Sequence, residues 1–299
     1  MRPGYIQLAE DGRLEARVAQ ALEALQDCVL CPRRCHANRT RGVTGYCRTG
    51  RYARVANYGP HFGEERPLVG TKGSGTIFFS NCNLRCVYCQ NCDISQLGKG
   101  TEMCTEELSA TMLRLQQLGC HNINLVSPSH TVAQILEAVL LATQHGLSVP
   151  LVYNTGGYDR VDTLQLLDGV VDIYMPDMKY SDVTVASRLS DAHDYPEINR
   201  AAVQEMYRQV GDLRFDEQGL AERGLLVRHL VLPHDLAGTR ATAEFLATSV
   251  STSTYINVMP QYRPCFRASE YPELSRRITP GEYEAALTAC RDAGLSRFE

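Results

Sequence analysis

Three cysteines, Cys82, Cys86 and Cys89, lie in the run Ser80-Asn81-Cys82-Asn83-Leu84-Arg85-Cys86-Val87-Tyr88-Cys89-Gln90-Asn91, directly after the strand-like run Gly75-Thr76-Ile77-Phe78-Phe79. Their C-x3-C-x2-C spacing lets three thiolates converge on one cluster and supplies no fourth in register, so one iron of a [4Fe-4S] cube would stay open to a ligand. A second set, Cys28, Cys31, Cys35 and Cys47, has Pro32, Arg33, Arg34, Gly42 and Gly45 between its members. Four thiolates separated by turn formers suit a knuckle around a metal, either Zn²⁺ held tetrahedrally or a complete iron-sulfur cluster.

The other thiols are Cys92, Cys104, Cys120, Cys265 and Cys290. Cys92 would complete the first cluster in a simple electron carrier or redox sensor, the alternative to chemistry at an open iron. Cys120 and Cys290 read as packing residues, and Cys265, beside the loop Pro260-Gln261-Tyr262, is the candidate for an extra reactive thiol. Twelve cysteines in 299 residues, with no apolar signal core behind Met1, argue for metal or redox chemistry over a disulfide framework.

With 44% hydrophobic residues the chain can bury a sizeable core. No apolar run approaches the ~18 residues of a membrane span, so a cytoplasmic protein with no membrane partner is expected. The formal net charge is -4 and the only basic cluster is Arg33, Arg34, Arg39 and Arg41. Nucleic acid is therefore an unlikely partner, and a zinc knuckle docking RNA is the weakest reading.

The elements that must position these residues follow from periodicity. Leu14, Val18, Ala21, Leu22 and Leu25 repeat at helical spacing, so a helix over 13–27 leads into the first cysteine group. From about residue 66 apolar runs recur at Thr76 to Phe79, Ile123 to Val126, Val149 to Tyr153, Val170 to Met175, Leu225 to Leu232 and Tyr255 to Met259. Helical patterns alternate with them: one capped by Thr105, one from Thr131 to His145 stopped by Gly146, one from Ile198 to Val210, and a last one opened by the capping box Thr279-Pro280-Gly281-Glu282. This alternation predicts an α/β fold with a parallel sheet, a partial (β/α)6 TIM-like barrel over 66–299, preceded by an N-terminal helix and cysteine-rich knuckle over 1–65. In such barrels the chemistry sits in loops at the C-terminal ends of the strands. Here these are the cysteine loop, Ser127-Pro128-Ser129-His130, Asn154-Thr155-Gly156-Gly157, Asp177-Met178-Lys179, Pro233-His234 and Pro260-Gln261-Tyr262. His130 reads as a core or helix-start residue, with proton handling the lesser alternative.

The cysteine motif with Tyr88 ahead of its last member resembles the signature of the radical S-adenosylmethionine (SAM) superfamily. Ser74-Gly75-Thr76-Ile77-Phe78-Phe79, Val152-Tyr153-Asn154-Thr155-Gly156-Gly157-Tyr158, Asp172 to Tyr180 and Val227 to Pro233 resemble its branch of pyruvate formate-lyase activating enzyme-like iron-sulfur proteins. Cys28-Val29-Leu30-Cys31-Pro32-Arg33-Arg34-Cys35 belongs to the same pattern. The resemblance implies an oxidoreductase in which Cys82, Cys86 and Cys89 hold a [4Fe-4S] cluster that cleaves SAM reductively into methionine and a 5′-deoxyadenosyl radical. It further implies SAM contacts from Tyr88, Asn154, Asp177 and Lys179, an electron donor such as flavodoxin or ferredoxin, and a substrate that can be a glycyl radical enzyme, a small molecule or an RNA to be modified. Related enzymes carry a Gly-Gly-Glu element where this chain has Ser127-Pro128-Ser129-His130, so Ser127 or a backbone carbonyl would receive the SAM amino group.

Overall fold

Each of the six apolar runs becomes a strand, and the six lie parallel in one sheet. The computed structural model describes residues 2–299. In chain order it has α1 (Gly4–Glu10), α2 (Arg13–Glu23), β1 (Ala53–His61), α3 (Arg66–Val69), β2 (Ser74–Phe79), α4 (Cys92–Ser95), β3 (Thr101–Met103), α5 (Thr105–Gln117), β4 (Ile123–Val126) and α6 (Val132–Gln144). There follow β5 (Leu151–Thr155), α7 (Val161–Leu166), β6 (Ile173–Pro176), α8 (Val183–Ser190), α9 (Tyr195–Val210), β7 (Arg214–Phe215), β8 (Ala221–Leu230), α10 (Thr239–Ser249), β9 (Tyr255–Met259), α11 (Pro280–Asp292) and β10 (Arg297–Phe298).

The sheet order is β10-β9-β8-β6-β5-β4-β2-β1-β3. β2, β4, β5, β6, β8 and β9 are parallel neighbours, while β1 runs antiparallel to both β2 and β3. The order has two free ends, so the sheet stays open as expected for an incomplete barrel. Side chains alternate between its faces. Leu125, Tyr153, Tyr174, Leu225 and Val227 join the main core with the helices. Val152, Ile173, Met175 and Leu226 face the other way and close around Leu68 of α3, which plugs that side of the sheet. Strands buried on both faces are what a parallel sheet requires.

Residues 4–23 belong to the same core: Tyr5, Leu8, Leu14 and Val18 are buried in it, and the Tyr5 hydroxyl donates to the Val149 carbonyl at 2.8 Å. β1, which also precedes residue 66, pairs with β2. The expected helix over 13–27 ends at Glu23, because the chain then turns into the knuckle, where Cys28 N donates to Ala37 O and His36 N donates to Cys28 O, both at 3.1 Å. The cap of α5 is Cys104 and not Thr105: Glu107 reaches back to accept from Cys104 N at 2.8 Å, and the Thr105 hydroxyl goes to Glu137 at 2.7 Å. The capping box of Thr279 and Glu282 forms as expected.

Candidate active site

The C-terminal strand ends border one cleft of about 270 Å³, with Cys82, Cys86 and Cys89 on one side and Ser127, Asn154, Asp177 and Lys179 on the other. Its floor belongs to the parallel strands and its wall to the loop after β2. Asn81, in left-handed conformation (φ 69°), turns that loop out of the sheet. Arg85 N then donates to Ser190 O at 3.1 Å and Val87 N to Leu189 O at 2.9 Å, which ties the loop to the end of α8.

Each of the three sulfurs has a polar neighbour. The Ser190 hydroxyl donates to Cys86 Sγ at 2.9 Å, Leu84 N donates to Cys82 Sγ at 3.4 Å, and the Ser95 hydroxyl lies 3.0 Å from Cys89 Sγ. Burial, reinforced by the nearby Cys86, pushes the Cys82 thiol up to about 12 and that of Cys89 up to about 11. Such thiols keep their protons until a metal displaces them, and donors aimed at sulfur then favour the thiolate. Among the described residues no group of three or more His, Cys, Asp or Glu side chains is placed to hold a single metal ion. The three thiols fit a cluster, which takes one thiolate per iron corner instead of gathering all of them on one centre.

Opposite the cysteines stands a half-buried ion network. Asp177 accepts from Lys179 Nζ at 2.6 Å and from Arg228 Nε at 2.9 Å, and Arg228 Nη2 donates to Asn154 Oδ1 at 2.7 Å. Burial works to raise the Asp177 carboxyl, but the Arg228 and Lys179 cations outweigh it and hold it below the usual carboxylate range. Gly157 (φ 74°) lets the β5 loop pass beneath the Asp177 carbonyl, 2.1 Å from where a Cβ would sit. Ser127, also left-handed (φ 59°), donates its N–H to Asn154 O at 2.8 Å.

Tyr88 lines the cleft, but its ring packs edge-on against Tyr180 and Tyr262, and its hydroxyl accepts from Tyr180 at 2.6 Å. Gln261 and Met259 of the sixth strand end also border the cleft, whereas Pro233-His234 does not. His130 is buried away from it, with Nε2 at 2.9 Å from Ser80 O; burial lowers the imidazole to about 4, so it is neutral and donates to that carbonyl. Cys92 opens α4 and lies outside the cleft wall, as does Cys265, whose thiol donates to Tyr88 O at 3.0 Å. Arg228 escaped sequence reasoning. Its only signal was an arginine within an otherwise apolar strand run.

The knuckle gathers Cys28, Cys31, Cys35 and Cys47 around a second, smaller void that Arg39 and His130 also line. It is clasped to the cysteine loop: Arg33 Nε donates to Asn83 O at 2.8 Å, and Arg85 donates to Tyr46 O and to Cys82 O. Both guanidinium groups stack on the Tyr46 ring, at 3.8 and 4.2 Å from its centroid. Arg34, His36 and Arg48 take left-handed backbone conformations here.

No protein-family model matches the chain. Uncharacterized protein MJ0674 of Methanocaldococcus jannaschii is 31% identical over 281 residues, 92% of this chain and 77% of that protein. The chain belongs to the family of that protein. Among solved structures, a domain of pyruvate-formate lyase-activating enzyme from Bacteroides vulgatus aligns with a TM-score of 0.38 at 16% identity, over 65% of this chain and 89% of that one. HydG, a maturase of the [FeFe]-hydrogenase, aligns with a TM-score of 0.49 at 13% identity, over 73% of this chain and 48% of HydG.

Proposed function

We propose that this protein is a radical SAM enzyme whose [4Fe-4S] cluster is held by Cys82, Cys86 and Cys89. The supporting observation is that these three thiols border the same cleft as the polar ends of β4, β5 and β6. When bound and reduced, the cluster supplies one electron to the SAM sulfonium, giving methionine and a 5′-deoxyadenosyl radical that takes a hydrogen atom from substrate.

The chain's own groups bind and orient. Arg228 faces Glu65 and Glu64 as well as Asp177, so Lys179 is the cation of the network best placed to receive a carboxylate. Asn154 is held by Arg228 at its amide oxygen and by Glu64 at 3.5 Å from its nitrogen, which leaves its second N–H for ribose hydroxyls, while Ser127 and the carbonyls beside it can accept from an ammonium group. Tyr88 contributes an apolar wall. The electron-carrier reading needs Cys92 as fourth ligand, and that residue lies outside the cleft wall. The substrate that yields the hydrogen is either a protein glycine or a small molecule, with a flavodoxin- or ferredoxin-type donor upstream.

Anaerobically reconstituted protein given SAM and dithionite should release 5′-deoxyadenosine and methionine, and Cys86→Ala should abolish this. Electron paramagnetic resonance of the reduced protein should change when SAM is added. A cluster-loaded sample whose spectrum ignores SAM and which releases neither product would overturn the reading.

A further inference from the structure

The knuckle contains a buried cation that no carboxylate of the described residues pairs with. Arg39 is 1% exposed. Its Nε donates to Gly50 O at 3.1 Å and its Nη1 to His130 O at 2.9 Å, both uncharged acceptors; Nη1 also lies 3.6 Å from Cys28 Sγ, and Nη2 is buried with no partner. Among the described residues no carboxylate bonds to it. A guanidinium cannot shed its proton, and burying it unpaired costs several kcal/mol. The missing negative charge must come from the void it lines, and the groups there that can carry it are the sulfurs of Cys28, Cys31, Cys35 and Cys47.

The surrounding backbone is shaped for those sulfurs. Tyr46 N donates to Cys35 Sγ at 3.2 Å. A Cβ on Gly45 would lie 2.7 Å from Cys35 Sγ and 2.4 Å from its Cβ, so only glycine lets the segment carrying Cys47 close over Cys35. Tetrahedral Zn²⁺ would draw four sulfurs onto one ion at about 2.3 Å, yet no group of three or more Cys, His, Asp or Glu among the described residues is placed around a single ion. A cube takes one thiolate at each corner and tolerates the wider spread.

We infer that Cys28, Cys31, Cys35 and Cys47 bind a second, fully ligated [4Fe-4S] cluster, with Arg39 as its buried counter-cation. Four thiolates on an oxidised cube carry about two net negative charges, and one-electron reduction adds a third. Arg39 therefore stabilises the reduced form more than the oxidised form. With all four irons protein-bound, this cluster offers SAM no site. The inference stands independently of the reading of the Cys82 site.

The test uses the full-length chain with Cys82, Cys86 and Cys89 all changed to Ala, reconstituted anaerobically with Fe²⁺ and sulfide and offered Zn²⁺ in parallel. It should retain about four irons and about four sulfides, with a reduced resonance signal that SAM leaves unchanged. The wild type should carry about eight irons. Bound zinc in place of iron in the triple variant, together with about four irons in the wild type, would overturn the inference. In wild-type background, Arg39→Gln should move the midpoint potential of the SAM-insensitive signal to more negative values, and Arg39→Lys should leave it close to wild type. An unchanged midpoint in Arg39→Gln would overturn the counter-cation role.

Discussion

Asp177 is where the cleft's electrostatics are decided. It is the one acceptor shared by Lys179 and Arg228, so Asp177→Ala would leave two half-buried cations without it. The set is half-buried and Arg228 keeps Glu65 and Glu64 nearby, so the loss should be about 1–3 kcal/mol, read by urea denaturation. Asp177→Asn, which keeps the shape and one acceptor, should lose less. Gly157→Ala should act on the same residue from below, since its Cβ would strike the Asp177 carbonyl. A drop in SAM affinity with cluster content retained is the expected result by equilibrium dialysis. Asn154, Asp177 and Lys179 were singled out in the sequence because they lie in loops after apolar runs and match the pattern of the resembled family. Arg228 and Arg39 were not: one acts on a carboxylate 51 positions away and the other on a carbonyl 91 positions away, and only the folded sheet makes these neighbours.

The elements that are periodic and long announced themselves, and those that depend on distant partners did not. The six parallel strands are continuous apolar runs, as strands covered on both faces must be. β1 includes Tyr58-Gly59-Pro60-His61, polar and interrupted by glycine and proline, and is a strand because β2 and β3 flank it. Asp172 shows what holds one such junction: its carboxylate accepts from Leu151 N at the start of β5 at 3.0 Å and from Gly4 N of α1 at 3.4 Å. Burial raises it from 3.8 to about 6. An acid whose folded value lies above its unfolded one binds its proton more tightly when folded. Its contribution to stability is thus complete below about 4 and is lost as the pH rises through about 6, a change of about 3 kcal/mol at most. Chemical denaturation of the wild type across that window should show this decline, and Asp172→Asn should flatten it.

At the scale of the whole molecule the first helices and the parallel sheet are one body. Tyr5, Leu8, Leu14 and Val18 are buried in the shared interior, each contributing about 2 kcal/mol, and Ala21 adds about 0.8 kcal/mol. Their sum rivals the 5–15 kcal/mol margin typical of a domain, so a chain lacking residues 2–23 should lose cooperative thermal unfolding by circular dichroism. The expectation was of a knuckle set before a barrel. It could not reveal the packing, because a short helix such as α1 has too few turns to display a face. Five non-glycine residues in left-handed conformation, Arg34, His36, Arg48, Asn81 and Ser127, stand in or beside the two cysteine loops. Each such residue costs on the order of 1 kcal/mol, a load that the proposed clusters would offset once bound. The yield of folded protein should therefore follow the nutritional state of the producing cell. Iron-starved cultures should give less protease-resistant chain than iron-replete ones at equal synthesis, which a pulse-chase measurement would register.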